Sequence, residues 1–412
     1  MFLYSIYQYL SYFVFVYPLI MSIVWIVGGI YFWSNFENKA PLNLNEIKDW
    51  PPVTILVPCH NEEAVIRKTC ERLRYLNYLD YQVIFIDDAS SDATSNIISE
   101  FIGDIAYFHL LSLKKNLGKA GALNKALSYV NTPFVLVLDA DTILLNLSLK
   151  WLVAPFYFNT KLAAVTGNPL PLNRSNLLSK FQTAEFMSII GLIKRCQSFW
   201  GKIFTVSGCI TLYSTSALKN VGGFSSYTAT EDIDVSWKLQ RLSYEIWFQP
   251  EAIAYIQVPT KFKEYIKQRK RWALGGWHLL RTHKSVFTEK ENKKLWTIYL
   301  ETVAAYLWAF CFVIVFSIDI ILFVIRNHNP VNLFGWTASI LCFICVLQML
   351  IAIFINLRYD KSLIKSIFWI PWYPLIFFSV GAFLVVSTFI KGLFGSLENS
   401  GKWNSPERDV NK

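Results

Sequence analysis

Long stretches without a single charge limit what this chain can fold into. No charged residue precedes Glu37, and Tyr12 to Trp33 (YFVFVYPLIMSIVWIVGGIYFW) is an apolar run of 22 residues, close to the ~20 that a helix needs to cross a bilayer. No small-residue cleavage site follows it, so it reads as a retained anchor and not as a removed signal peptide. Val331 to Leu357 and Ser366 to Ile390 run 27 and 25 residues without a charge, and each is long enough to span. A further apolar segment, Leu295 to Ile325, carries Glu301 and Asp319. Glu301 falls at its water boundary. Asp319 falls near its far end, where a carboxylate costs least, and is expected to be interfacial.

These runs divide the chain into an anchor at 1–36, a central domain at 37–258, an amphipathic stretch at 259–294, three spans at 295–391 and a tail at 392–412. One span before the centre and three after it put the central domain on the same side as the loop Arg358 to Lys365. That loop has three bases, Arg358, Lys361 and Lys365, against Asp360, whereas Arg326 to Pro330 has one base. The positive-inside rule therefore predicts a cytoplasmic central domain in a multi-pass cell-membrane protein, with both termini outside the cytoplasm.

With 54% hydrophobic and 17% aromatic residues, the chain is too apolar for an ordinary soluble enzyme. Its net charge of +10 is concentrated between Pro259 and Lys294, where 11 Lys or Arg face 3 Glu. Trp272 and Trp277 interleave this block, which directly precedes a span. The expected partner is the anionic lipid surface, not nucleic acid. The seven cysteines are scattered and odd in number. Cys342 and Cys345 have metal-like spacing but no second ligand pair, so they read as small apolar residues.

The centre alternates strand-like and helix-like segments: VTILVPCHN, then Glu62 to Tyr75, YQVIFIDDAS, a polar helix from Asp92, AYFHLLSL, Lys119 to Val130, and FVLVLDAD. That order predicts an α/β domain with a mostly parallel sheet, whose ligands bind beyond the carboxyl ends of the strands. The polar clusters PCHNEE, DDASSD, KNLGKAGALN and DAD fall there. In the last of these, Asp139 and Asp141 share one face of a strand end, a costly arrangement unless something positive lies between them. An aspartyl-phosphatase reading fits poorly, because this pair comes late in the chain and Ile143 stands where that chemistry places Thr or Val. Asp87, Ser90, Ser91 and Asp92 have the composition of a turn followed by an Asp N-cap. Thr228 and Glu231 have capping-box spacing. Phe262, Tyr265, Ile266, Trp272, Ala273, Trp277 and Leu280 recur at helical spacing, which predicts an interfacial helix that Gly275 and Gly276 loosen.

In order and spacing, VPCHNEE, IDDASSDAT, NLGKAGALNKAL, LDAD, TEDIDVSWKLQ and QRKRW resemble the processive family 2 glycosyltransferases. LAAVTGNPLP, SKFQTAEFMSIIGLIKRCQS and IPWYPLIFF are similar to the group within them that polymerises β-1,6-linked N-acetylglucosamine. The resemblance covers nearly the whole chain. It implies a GT-A type domain inserted between transmembrane helices, UDP-N-acetylglucosamine as donor, a growing polysaccharide as acceptor, a small accessory membrane protein as partner, and Mg2+ or Mn2+ as cofactor. By the same resemblance Asp141 is the metal ligand, and Asp139 lies against the ribose or donor sugar. Pro58, Asn61 and Glu62 line the nucleoside, Asp88 accepts from the uracil N–H, and Lys119 lies near the nucleotide. Asp232 is the general base, beside Glu231 on the acceptor side. Gln268 and Arg271 contact the diphosphate, and Trp272 floors the acceptor site. Asp234 reads as structural. The alternatives are a cellulose-, chitin- or hyaluronan-type synthase, transfer of one sugar to a polyprenyl phosphate, and a membrane scaffold with a degenerate domain.

Overall fold

Short, nearly continuous apolar runs such as VTILV and FVLVL form strands buried on both faces of a sheet. In the computed structural model, which describes residues 2–39, 41–103, 105–289, 292–326 and 336–397, the strands are β1 (Val53–Cys59), β2 (Tyr81–Asp87), β3 (Phe108–Ser112), β4 (Phe134–Leu138), β5 (Ile143–Leu144), β6 (Leu162–Pro171), β7 (Ile210–Ser214) and β8 (Glu245–Ile256). They form one sheet in the order β3-β2-β1-β4-β7-β6-β8-β5. Helix α1 (Phe2–Phe32) leads into the domain. Between the strands lie α2 (Ile66–Leu73), α3 (Thr94–Ile102), α4 (Gly118–Leu127), α5 (Ser148–Val153), α6 (Pro155–Phe158), α7 (Leu177–Phe186), α8 (Lys194–Phe199), α9 (Thr215–Asn220) and α10 (Glu231–Arg241).

The alternation sorts the sheet into two cores. Val53, Ile55 and Val57 pack with Ile66, Cys70 and Leu73 of α2 on one face. Leu56, Val135 and Val137 pack with Leu123 of α4 and Val235 and Leu239 of α10 on the other. Strands β3, β2, β1 and β4 are parallel, so the segments after β1, β2 and β4 emerge on one edge. The rest of the sheet is mixed. β7 runs antiparallel to both β4 and β6, and β6 pairs parallel with β8.

Beyond the sheet come α11 (Phe262–Thr282), α12 (Trp296–Arg326), α13 (Trp336–Asn356) and α14 (Tyr373–Phe394). Among the described residues, α1 with its π-helical continuation Trp33–Lys39, α12 and α13 are long and apolar enough to cross a membrane. The apolar run expected as a single span at Ser366 to Ile390 is divided instead: a 3-10 segment, Lys361–Trp372, precedes α14. One other expectation changes: helix α11 continues unbroken through Gly275 and Gly276. Asp319 is buried facing α1, where it accepts a hydrogen bond from Tyr7 Oη at 2.5 Å. The loop residues 327–330 and the tail residues 398–412 lie outside the described residues.

The apolar helices and the sheet domain meet at a buried ionic joint. Arg195 of α8, fully buried, donates from Nε and Nη2 to both carboxylate oxygens of Glu37 at 2.6 and 3.1 Å. Tyr359, just after α13, donates to Glu37 at 2.5 Å, and its hydroxyl oxygen lies 3.3 Å from a carboxylate oxygen of Glu251 on β8. One cluster thus joins α1, α8, β8 and the loop after α13. A bidentate guanidinium–carboxylate pair with its remaining lone pairs occupied is the form in which buried charge is tolerated.

Candidate active site

The segments after β1 and β2 brace each other. Asn61 and Ala89 both adopt left-handed backbone, with φ of 54° and 56°. Asn61 Oδ1 accepts from the Ser91 amide at 2.8 Å, and Ser90 Oγ accepts from the Asn61 amide at 3.0 Å. Asp87 Oδ1 takes the Ser90 amide at 3.2 Å, which forms the expected turn. Asp92 Oδ1 takes the Thr94 amide at 3.0 Å, serving α3 from one residue outside its cap at Ala93. Asn61, expected against a nucleoside, therefore spends its side-chain oxygen on the neighbouring loop. Pro58 lies within β1 and Glu62 is buried behind it.

Asp88 is different. It is fully buried at the end of β2, and its Oδ1 accepts from the Leu117 amide at 2.7 Å. Its Oδ2 is buried with no donor among the described residues. His60 Nδ1 pairs with the Asp88 backbone oxygen at 2.9 Å and holds the loop over it. Burial raises the Asp88 carboxyl above its usual range. An orphaned acceptor of this kind is costly until an N–H or O–H reaches it.

Asp139 and Asp141 lie just beyond β4 in a turn and not on one face of the strand, and the cation that meets Asp139 is Lys119, which enters from α4 behind the left-handed Gly118. Its Nζ lies 2.6 Å from Asp139 Oδ1, 3.4 Å from Glu231 Oε1 and 3.1 Å from the Gly208 carbonyl. Burial opposes the ammonium, yet Asp139 and Glu231 hold its pKa above the usual lysine value. Burial raises Asp139, which Asp141 reinforces and Lys119 opposes. Glu231 is held below the ordinary carboxylate range despite burial, because Lys119 and Arg271 stabilise its charge. Asp232, next in the chain and in the first turn of α10, is pushed up to about 6 by burial and by the Glu231 charge. Adjacent acids in one site separate into an anion and a group poised near neutrality. Gly208 is pressed against Asp232, where a β-carbon would sit 2.9 Å from Oδ2.

Helix α11 fixes the loop that presents these acids. His278 Nδ1 lies 3.3 Å from the Ala229 amide, and His283 Nε2 lies 3.1 Å from Asp234 Oδ1. A β-carbon at Gly275 would collide with Thr230, the residue that directly precedes α10. The capping box expected from Thr228 is absent: the helix begins at Glu231, and Thr228 Oγ1 is buried without a partner among the described residues. Asp234 bonds Ser225 and His283 and lies 3.6 Å from Lys238 Nζ. That arrangement matches a structural carboxylate.

The QRKRW stretch lies on α11 over the same region. Arg271 is exposed and its charge acts on Glu231 and Asp232. Gln268 has a buried Oε1 without a donor among the described residues. Trp272 is 36% exposed, and the Arg269 guanidinium covers its ring at 4.1 Å from the centroid. Arg269 also lies 4.8 Å from the Tyr265 centroid and donates to buried Glu185 Oε2 at 2.6 Å. Trp277, expected to share a face with Trp272, is instead buried and donates to the Val385 carbonyl of α14 at 3.0 Å. Five residues are about 500° of helix, so the two rings point apart.

The structure therefore brings Lys119, Asp139, Asp141, Glu231, Asp232 and Arg271 into one electrostatic unit. Sequence reasoning missed Gly208, the Arg269–Glu185 pair, His278, His283 and Lys194. Burial brings the Lys194 ammonium down to about 8, and it donates to Ser207 Oγ at 2.6 Å, next to Gly208. The two histidines five apart on a basic helix were the one legible signal among these.

Comparison with known proteins places this geometry in context. A family model described as "Glycosyltransferase like family 2" matches residues 51–275. The chain is 36% identical over 400 residues to a poly-beta-1,6-N-acetyl-D-glucosamine synthase of Staphylococcus epidermidis, covering 95% of this chain and 97% of the relative. To the protein of that name from Staphylococcus aureus strain COL it is 35% identical over 404 residues, with the same shares covered. Among solved structures, a mannosyltransferase from Pyrobaculum calidifontis in complex with GDP-Man and Mn2+ superposes with a TM-score of 0.66 at 17% identity, covering 95% of this chain and 98% of that one. At that identity the likeness is one of fold.

Proposed function

Because this chain belongs to the family 2 glycosyltransferases and has their GT-A fold, we propose that it is a membrane-embedded, inverting, processive N-acetylglucosaminyltransferase. It takes UDP-N-acetylglucosamine on the cytoplasmic side and extends a β-1,6-linked poly-N-acetylglucosamine chain, an exopolysaccharide of the biofilm type. The polymer passes outward between the apolar helices. A small accessory membrane protein belongs to this reading by the family resemblance of the motifs alone.

The observation that carries the proposal is Asp232, a carboxyl poised at about 6 beside an anionic Glu231 and close to the cations Lys119 and Arg271. A general base of that strength takes the proton from the acceptor 6-hydroxyl as its oxygen attacks the anomeric carbon of the donor. The new carbon–oxygen bond forms on the face opposite the breaking bond to phosphate, and UDP departs with that electron pair. Asp88, with its orphaned oxygen, accepts from the uracil N–H. Arg271 and Gln268 meet the diphosphate, and the open face of Trp272 supports the acceptor ring through its C–H bonds.

No group of three or more His, Cys, Asp or Glu side chains able to hold a metal occurs among the described residues. The site fits instead a hard divalent cation such as Mg2+ or Mn2+, which is commonly held by one or two carboxylates and completed by phosphate oxygens and water. Asp141 would hold it, with Asp139 already engaged by Lys119. The cation would offset the charge of the diphosphate.

Membranes containing the chain, supplied with individual labelled UDP-sugars and a divalent cation, test the proposal. The expected result is incorporation from UDP-N-acetylglucosamine into a polymer that a β-1,6-N-acetylglucosaminidase digests. Incorporation from UDP-glucose alone would overturn it.

A further inference from the structure

Between the end of α1, the end of α13 and the 3-10 segment Lys361–Trp372 runs a groove lined by none of the candidate site's residues. Its outer part, about 530 Å3, has Asn38, Arg358 and Lys361 at one end and Trp33, Phe354 and Ile364 as walls. Trp33, Phe354 and Ile364 also line an adjoining part of about 430 Å3, which Ile30, Leu350 and Ile367 complete without any charged residue. The groove is thus amphipathic along its length. The basic end lies where α13 gives way to the loop beside the domain, and the apolar end runs back along the helix. Leu350 is about 9 Å down α13 from Asn356. Phe354 and Ile364 are 66% and 51% exposed, so the walls of the groove are open to a molecule from outside the chain.

The charged end is built into the fold. Arg358 donates Nη1 to the Glu37 carbonyl at 3.0 Å, which anchors its guanidinium at the mouth beside the buried Glu37–Arg195 pair. Asp360 does not neutralise that end, because Arg174 Nη2 holds it at 2.7 Å on another element. Two cations above an apolar slot complement a molecule with a phosphate at one end and a hydrocarbon chain behind it.

We infer that this groove is a binding site for one anionic phospholipid, its phosphate between Arg358 and Lys361 and an acyl chain along Trp33, Phe354 and Leu350. The site is independent of the proposed transfer reaction. It sits on the joint that connects α1, α8, β8 and the loop after α13.

Trp33 supplies the probe. The intact chain is placed in vesicles whose phosphatidylglycerol or phosphatidylcholine carries brominated acyl chains, and the Trp33 component is taken as the difference from Trp33→Phe. The expected result is at least threefold stronger quenching of that component by phosphatidylglycerol than by phosphatidylcholine. The Arg358→Gln/Lys361→Gln double variant should lose that preference, and Lys365→Gln, outside the groove, should keep it. Equal quenching by the two lipids in the intact chain would overturn the inference, as would an unchanged preference in the double variant. A Trp33 shielded from both lipids by a co-purifying polypeptide would overturn it too, since the groove would then hold protein.

Discussion

At the scale of single residues, the site rests on acids with divided roles, and pH separates them. Asp232 has a pKa near 6 in the fold against an ordinary value near 4. Folding therefore favours its protonated form: the contribution is fully present below about pH 4 and is lost as pH rises through 6. Asp232→Asn should raise the thermal midpoint at pH 7.5, by on the order of 1 kcal/mol in stability, with the gain gone below about pH 4. In the unaltered chain, kcat/KM should fall about tenfold per unit as pH drops below 6, because the base is then protonated. A flat acid limb would argue against a base of this pKa. Trp272 and Trp277 separate acceptor binding from packing. Trp272→Ala should leave UDP affinity and the thermal midpoint near their starting values while polymer output falls at least tenfold. Trp277→Ala should lower the thermal midpoint, because its ring is buried and bonded to α14. Equal losses of stability and output in both variants would remove the acceptor role from Trp272. Much of this was legible in the sequence, since Asp141, Asp232 and Trp272 stand in short motifs whose chemistry demands those side chains. The backing of Trp272 by Arg269 and Glu185 was not, because residues 185 and 269 meet only after folding.

At the scale of elements, α11 is the part that ties transfer chemistry to the helices. Helix propensity makes its two glycines weak points, and the structure gives them another use: Gly275 lets Thr230 approach, and Gly276 lets Tyr306 of α12 approach, where a β-carbon would collide. A sequence pattern cannot distinguish a glycine that loosens a helix from one that admits a neighbour, because the neighbour comes from another part of the chain. Gly275→Ala and Gly276→Ala should each cost about 1–3 kcal/mol through overpacking. Gly275→Ala should also depress turnover, since Thr230 carries the first turn that holds Asp232. Gly381, in α14, has no atom within 4 Å of an added β-carbon, so Gly381→Ala serves as the neutral comparison. Thermal midpoints of the three variants decide this, and equal values would remove the packing role. The parallel half of the sheet was readable from the alternation of strands and helices. The antiparallel β7 was not, because its pairing with β4 and β6 is long-range.

At the scale of the whole molecule, the domain and the apolar helices share a buried ionic joint that no local motif announces, since Glu37, Arg195, Glu251 and Tyr359 are far apart in sequence. Glu37→Gln leaves Arg195 buried without its counter-charge and should cost about 3–5 kcal/mol, read as a lowered thermal midpoint in detergent or vesicles. An unchanged midpoint would mean that the helices and the domain are held together elsewhere. The apolar runs, by contrast, were plain in the sequence because length and absence of charge suffice to mark them. What unites these parts is the claim that one site, built on the sheet and closed by α11, binds a UDP-sugar and uses Asp232 to activate the acceptor. UDP affinity and polymer output of Asp232→Asn, measured on the same membranes, test this most directly. UDP binding within about twofold of the unaltered chain is expected, with polymer reduced at least a hundredfold, within the usual reach of a general base. Near-normal polymer from that variant would contradict it.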